Sequence, residues 1–261
     1  MIRTVLGIDL ASSKWSSVGS AMIEFDDEAD GFTRVVAGAI TSPAIPLTPD
    51  ALADAIDAFA RRERVCAVAL DGPQGWRDPA TVEEMPGVGR RCEYECRTQG
   101  KTGVYPRTFP GTQRAWIEFC VDVFAKLLAK PGVVLADPAA AEAASSYLVL
   151  ECFPTSAWRS SGLMPLPGKA KRPELAPYLR ALVTTYGLPP TTVRTHDDLQ
   201  AIVAALTAAA AVGGPAVPEP KGAPASVIAH AGSALRIEGY IWDVKPLGAS
   251  PQRTVTRVGG G

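Results

Sequence analysis

Twice within its first 71 residues the chain runs through apolar, partly β-branched residues and stops on a carboxylate. Thr4-Val5-Leu6-Gly7-Ile8-Asp9 is the first case, and Val65-Cys66-Ala67-Val68-Ala69-Leu70-Asp71 is the second. Continuous apolar runs of this length predict strands buried on both faces, as in a parallel or mixed sheet covered by helices. In open sheets of that kind the site lies beyond the carboxyl ends of the strands, which is where both acids fall. Glu151 ends a third run, Tyr147-Leu148-Val149-Leu150, and Asp197 and Asp198 open the last strong helical pattern. Carboxylates that converge repel one another unless a cation or a shared proton relieves them. The pattern points to divalent-metal chemistry on phosphate esters.

The 261 residues are 47% hydrophobic, enough for a sizeable core and too many for a disordered chain. The length suits a single domain over 1–261. The net charge of −1 argues against a protein built to coat nucleic acid. An enzyme acting on nucleic acid needs only a local basic patch. No apolar run approaches the roughly 20 residues of a membrane span, and no signal-peptide pattern precedes the first strand. A cytoplasmic protein without a membrane partner is expected. The five cysteines (66, 92, 96, 120 and 152) mostly sit inside apolar patterns and read as reduced thiols. Cys92 and Cys96 are spaced like half of a zinc site, but no partner pair follows, and His196 and His230 are the only histidines.

Strands are expected over 3–9, Trp15 to Phe25 and Thr33 to Ile40, joined by short loops into an antiparallel meander. Thr48 caps a helix with Pro49 at its first position and Leu52, Ile56 and Phe59 on its buried face. The strand over 65–71 follows that helical crossover and is expected to run parallel to its neighbour. Residues 72–111 read as a long irregular insertion, and a connection of that length is usually functional or disordered. A helix over 112–129, a strand over 146–152, a weaker helix over 174–186 and an Ala-rich helix over 197–212 follow. The Gly/Pro-rich segment 213–224 reads as a loop, and Leu235 to Val244 as a short edge strand. Three antiparallel strands followed by parallel βα units give the expected class: an α/β, RNase H-like mixed sheet flanked by helices. The actin-like ATPase domain opens in the same way.

Each acid has two readings. Asp9 bridges two Mg²⁺ ions, or it caps the turn through the amides of Ser12 or Ser13. Asp71, before Gly72-Pro73, is a second ligand or an Asx-turn residue. Glu151 is costly to bury without a partner, so it is a ligand or an exposed acid near the next helix start. Asp197 and Asp198 follow Thr195 in a near capping box; one of them completes the metal shell, or both only complement the helix dipole. His196 is a proton shuttle or a structural residue beside the cap. Between the second and third acids lie Arg77, Arg90, Arg91, Arg97, Lys101 and Arg107, interleaved with Trp76, Tyr94 and Tyr105. Arginine forks hold phosphates and aromatic rings stack on bases, which makes Arg90, Arg91 and Arg97 substrate-binding candidates. The alternative is a solvated loop whose arginines pair with Glu83, Glu84, Glu93 and Glu95. A second basic cluster, Lys169, Lys171 and Arg172, lies in a Gly/Pro loop and reads as exposed.

These phrases together resemble the predicted RNase H-like nucleases grouped as domain of unknown function 429. The likeness rests on Gly7-Ile8-Asp9, Asp71-Gly72-Pro73, Arg90-Arg91-Cys92-Glu93 with Arg97, Glu151-Cys152-Phe153-Pro154, His196-Asp197-Asp198-Leu199-Gln200-Ala201 and Glu238-Gly239-Tyr240-Ile241-Trp242. The resemblance implies a carboxylate site for Mg²⁺ or Mn²⁺, with Asp9, Asp71, Glu151 and Asp197 as ligands. One position departs from it: Gln200 stands where that family's helix has a second acid, and an amide is a poorer ligand for a hard dication. The expected function is metal-dependent phosphodiester hydrolysis of DNA or RNA. The rivals are a non-catalytic nucleic-acid-binding or scaffold protein on the same fold, and an actin-like ATPase or phosphotransferase.

Overall fold

The computed structural model describes residues 1–28, 31–139 and 146–248. Its strands are β1 (Ile2–Asp9), β2 (Gly19–Asp26), β3 (Gly31–Ala37), β4 (Val65–Asp71), β5 (Lys101–Thr102), β6 (Thr108–Phe109), β7 (Val133–Leu135), β8 (Tyr147–Cys152), β9 (Ala216–His230) and β10 (Ser233–Pro246). Its helices are α1 (Pro49–Arg62), α2 (Arg91–Glu95), α3 (Arg114–Leu128), α4 (Pro154–Ser160), α5 (Ala176–Tyr186) and α6 (His196–Ala211). The main sheet runs β3-β2-β1-β4-β8-β10-β9, with β7 beside the first half of β8. β2 lies antiparallel to β1 and β3, whereas β1, β4, β8 and β10 are mutually parallel neighbours. This is the mixed, RNase H-like order that the hydrophobic pattern predicts.

Both faces of the central strands are buried, as their apolar sequences require. One face carries Leu6, Ile8, Val68, Leu70 and Val149 against α1 and α3. The other carries Val5, Ala67, Ala69, Leu150 and Cys152 against α4, α5 and α6. Thr48 caps α1 by accepting the Ala51 amide at 3.1 Å, and Thr195 caps α6 by accepting the Asp198 amide at 3.0 Å. All five cysteines are free thiols, and Cys92, Cys96, Cys120 and Cys152 are buried. Among the described residues no helix is long and apolar enough to cross a membrane.

Four local expectations change. The second strand starts at Gly19, not Trp15, because residues 15–17 form a 3-10 turn and the Trp15 indole donates to the Ile45 carbonyl at 2.8 Å. The third strand stops at Ala37, where Gly38 turns the chain at a φ of +66°. The short β7 gave no sequence signal of its own. The largest difference is at the end of the chain. Residues 216–230, which include most of the expected loop, form β9, and β10 is a long inner strand between β8 and β9 rather than an edge. β9 holds the edge, where Pro218, Pro220 and Pro224 are tolerated because an outward-facing position needs no N–H. Residues 72–111 carry only a 3-10 turn, α2 and the two-residue strands β5 and β6.

Candidate metal centre

Asp9 and Asp71 end adjacent parallel strands in exact cross-strand register. Side chains of paired residues in neighbouring parallel strands point to the same side, so both acids face α6. The next strand continues that row with Cys152, opposite Asp71, while Glu151 pairs with Leu70. Glu151 therefore belongs to the other face of the sheet.

α6 reaches the two acids because glycines clear its path. A Cβ on Gly7 would lie 2.1 Å from the Ala201 carbonyl oxygen and 2.2 Å from the Ala205 nitrogen. A Cβ on Gly19 would lie 2.1 Å from the Asp197 carbonyl oxygen. The helix backbone thus rests directly on β1 and β2, and its first turn is set down beside Asp9. There Asp9, His196 and Asp197 each offer a ligand atom, all within 4.8 Å of one another.

The His196 tautomer follows from its partner. Nε2 lies 3.0 Å from the Pro167 carbonyl, which can only accept, so Nε2 carries the hydrogen. Nδ1 then presents a lone pair. It is buried without a hydrogen-bond partner and lies 3.4 Å from Asp197 Oδ1. A lone pair facing a carboxylate is unfavourable, and the contact is relieved by a cation between them or by a second proton on the ring. An imidazole held by a backbone carbonyl through its other nitrogen is the usual support of a metal ligand.

The electrostatics agree. Burial, then the charges of Asp71 and Asp197, hold the Asp9 carboxyl well above the usual range. Burial, then the charge of Glu151, pushes Asp71 up to about 7, although a hydrogen bond from Asp9 opposes the shift. Crowded acids of this kind favour holding a proton when no cation is present. Asp197 is held below its ordinary value although burial opposes this, because its anion is stabilised by His196 when the ring is protonated at Nδ1 and by Lys169. The Lys169 ammonium is ion-paired with Asp197 Oδ2. The loop read as an exposed basic cluster therefore delivers one of its lysines to the site.

The other expected residues are placed differently. Both oxygens of Glu151 are engaged by Arg90, Oε1 at 2.6 Å and Oε2 at 2.8 Å, and Oε2 also accepts the Gln74 amide at 2.9 Å. Arg90 is fully buried and also meets Glu93, so its fork is turned inward rather than offered to a phosphate. Arg91 pairs with Glu95 at 2.8 Å on the surface. Arg97 is exposed and lines the cavity beside Asp71. Asp198 is half-buried and stays outside the three-residue cluster, its amide spent on the Thr195 cap. Gln200 accepts the Trp158 indole hydrogen at 2.9 Å.

No protein-family model and no curated protein matches the chain, so the likeness to domain of unknown function 429 stays a likeness of motifs. Among solved structures the chain is similar to the RuvC structure from Thermus thermophilus. The two share 16% identity over 80% of this chain and 96% of that one, with a TM-score of 0.36. Overlap this loose carries no argument about chemistry, and the fold stands on strand order and register.

Proposed function

We propose that the protein is a divalent-metal-dependent nuclease that hydrolyses phosphodiesters at the Asp9–Asp71–His196–Asp197 cluster. The observation that carries this reading is the meeting of Asp9, His196 and Asp197 within 4.8 Å of one another, with Asp71 beside Asp9 at the end of the neighbouring strand. Burial and neighbouring charge raise the carboxyls of Asp9 and Asp71, and His196 Nδ1 is buried with no hydrogen-bond partner among the described residues. Such a set fits a cation better than it fits any arrangement of its own atoms. Oxygen ligands favour Mg²⁺, and the imidazole shifts preference towards Mn²⁺. A bound ion of this kind would supply an activated water and charge neutralisation at the phosphate.

The chain's residues have separable tasks in this reading. Asp9 and Asp71, whose carboxyls are raised by burial and neighbouring charge, would hold the cation as carboxylates and lose their protons to it. A cation held by Asp197 would release the Lys169 ammonium now paired with it, and that lysine, on its flexible stem, would then be placed to meet a substrate phosphate. Glu151 and Arg90 fix the Gln74 turn and so the exit of β4 after Asp71. This differs from the ligand set implied by the resemblance, because His196 takes the place of Glu151.

The test is calorimetric titration of Mn²⁺ into the wild type and Asp9→Asn, followed by cleavage assays on single-stranded and duplex DNA and RNA with and without metal. The expected result is binding weakened at least tenfold in the variant and cleavage that requires both the metal and Asp9. A wild type that binds no Mn²⁺ even with an oligonucleotide present, or an Asp9→Asn protein that cleaves normally, overturns the proposal. Oligonucleotide binding without cleavage in any metal would favour a binding protein on the same fold.

A further inference from the structure

A cavity of about 610 Å³ opens beside Asp71. It runs from the β4 exit, past Phe153 and Trp116, to Pro167 and Lys171 in the loop that also supplies Lys169. Two of its edges therefore belong to the metal cluster: Asp71 itself, and the Pro167 carbonyl that orients His196. The Trp116 indole donates to the carbonyl of Leu10, the residue after Asp9, at 3.2 Å, which fixes the ring relative to the catalytic strand end. Phe153 is half-buried at the start of α4 and packs on Cys92, Cys96 and Ile241.

The charges of the cavity are sorted. Arg90 is consumed by Glu151 and Glu93, whereas Arg97 and Lys171 at the rim are exposed, with no ion pair among the described residues. Arg97 holds a left-handed backbone, φ +53°, directly after α2. That is the left-handed position at which many helices end, closed here by the Thr98 amide donating to the Glu93 carbonyl at 3.0 Å, and it turns the chain at the cavity rim. Aromatic walls with free cations at the mouth, next to a phosphodiester-cleaving centre, match the two ends of one nucleotide. The base meets the rings and the backbone phosphate meets the cations.

We propose, building on the nuclease reading, that this cavity receives a single unstacked nucleotide next to the scissile phosphate. The substrate is then a single strand, a strand end or an extruded base rather than a continuous duplex. Size supports this. The volume lies in the range of small-molecule pockets, and a base held in a double helix cannot enter a concave site unless it is unpaired and rotated out. A larger cavity of about 750 Å³, between α3 and the β9–β10 turn, is remote from the cluster, and nothing about its lining identifies an occupant.

The experiment measures binding of fluorescein-labelled dT12, of the same length of duplex, and of thymidine 5′-monophosphate in competition, each with Ca²⁺ and with EDTA. The proteins are the wild type, Arg97→Gly and Phe153→Leu. Glycine relieves the positive φ, so lost binding in Arg97→Gly cannot be ascribed to unfolding. The proposal expects dT12 to bind at least tenfold tighter than the duplex and the mononucleotide to displace it. Each variant should weaken dT12 by about five- to tenfold while Mn²⁺ titration stays at the wild-type value. Equal or tighter duplex binding, or variants that bind dT12 normally, overturns it and leaves the metal reading intact. If the wild type binds no Mn²⁺, the nuclease reading fails, and the cavity is judged on the EDTA arm alone. There, loss of dT12 binding in both variants supports a nucleotide site, and no loss ends it.

Discussion

Asp71 gives the site a pH signature near neutrality. Its folded carboxyl titrates at about 7, whereas an unfolded aspartate titrates near 4. Between those values the folded state holds the extra proton, so the metal-free protein loses stability as pH rises from about 4 to about 7. Asp71→Asn removes that loss. In EDTA the variant should gain Tm relative to the wild type between pH 5 and pH 8, and a difference independent of pH would refute the coupling. Metal affinity runs the other way, rising over the same window as protons cease to compete. Glu151 offers the contrasting case. Glu151→Gln should lower Tm yet leave Mn²⁺ affinity within about twofold. Arg90→Met should cost more, about 3–5 kcal/mol, because it strands a buried carboxylate. Chemical denaturation and calorimetry on both variants check this, and a tenfold loss of Mn²⁺ affinity in Glu151→Gln would restore Glu151 as a ligand. Sequence could not separate Glu151 from Asp71, since both close apolar runs. A one-residue difference in register and an arginine 61 positions away, which only tertiary structure supplies, set them apart. The role of His196 was equally hidden, because it depends on the Pro167 carbonyl of another loop.

At the scale of elements, the site is made by how closely α6 approaches the sheet. The helix presents Ala201, Ala204, Ala205 and Ala208, all fully buried, to strands that yield Gly7 and Gly19 in return. Its Ala-rich pattern was legible as a helix, but not the reason for the alanines, which is backbone contact with β1 and β2. Gly19→Ala tests that reason without touching a ligand side chain. The added methyl meets the Asp197 backbone, so the first turn of α6 must move. Overpacking of this kind costs about 1–3 kcal/mol. The expected outcome is a destabilised but folded protein whose Mn²⁺ affinity falls at least tenfold, because Asp197 and His196 are displaced together. Normal affinity in Gly19→Ala would mean that the helix start does not set the geometry. The β9–β10 hairpin shows where local signals mislead. Pro218, Pro220, Gly222 and Pro224 spell a loop by composition, yet β10 pairs with the first three, the ladder breaks register at Pro224, and the pairing resumes beyond it, overriding that preference. The hairpin then ties down the insertion: the Trp76 amide donates to the Arg236 carbonyl at 2.9 Å, and the Gly222 amide to Glu95 at 2.8 Å.

For the whole molecule, the balance of charge limits how a nucleic acid can be held. A net charge of −1 provides no long-range attraction for a polyanion. The arginine-rich insertion looked like a phosphate-binding surface in sequence, but the fold spends Arg77 on the carbonyls of Thr81, Met85 and Gly87, Arg90 on Glu151, and Arg91 on Glu95. Among the described residues three exposed cations without an ion pair line the cavity mouth, Arg97, Arg159 and Lys171, and Arg159 also donates to the Cys96 carbonyl at 2.7 Å. Each phosphate neutralised on a single strand contributes about −0.7 to the slope of log affinity against log salt. Three such contacts, with Lys169 of the metal site as a fourth, predict a slope of roughly −2 to −3 for dT12, shallow beside the slopes of proteins that grip an extended backbone. Arg97→Gly should reduce that slope by about 0.7, whereas Phe153→Leu should weaken binding and leave the slope unchanged, since stacking releases no counterions. Titrations between about 50 and 200 mM salt separate the two effects. A wild-type slope near −4 would mean that the strand is held along a broad basic surface, and the single-nucleotide cavity would then lose its place as the main contact. A shallow slope that responds only to Arg97 would instead fit a protein whose selectivity comes from a shaped pocket beside a metal centre.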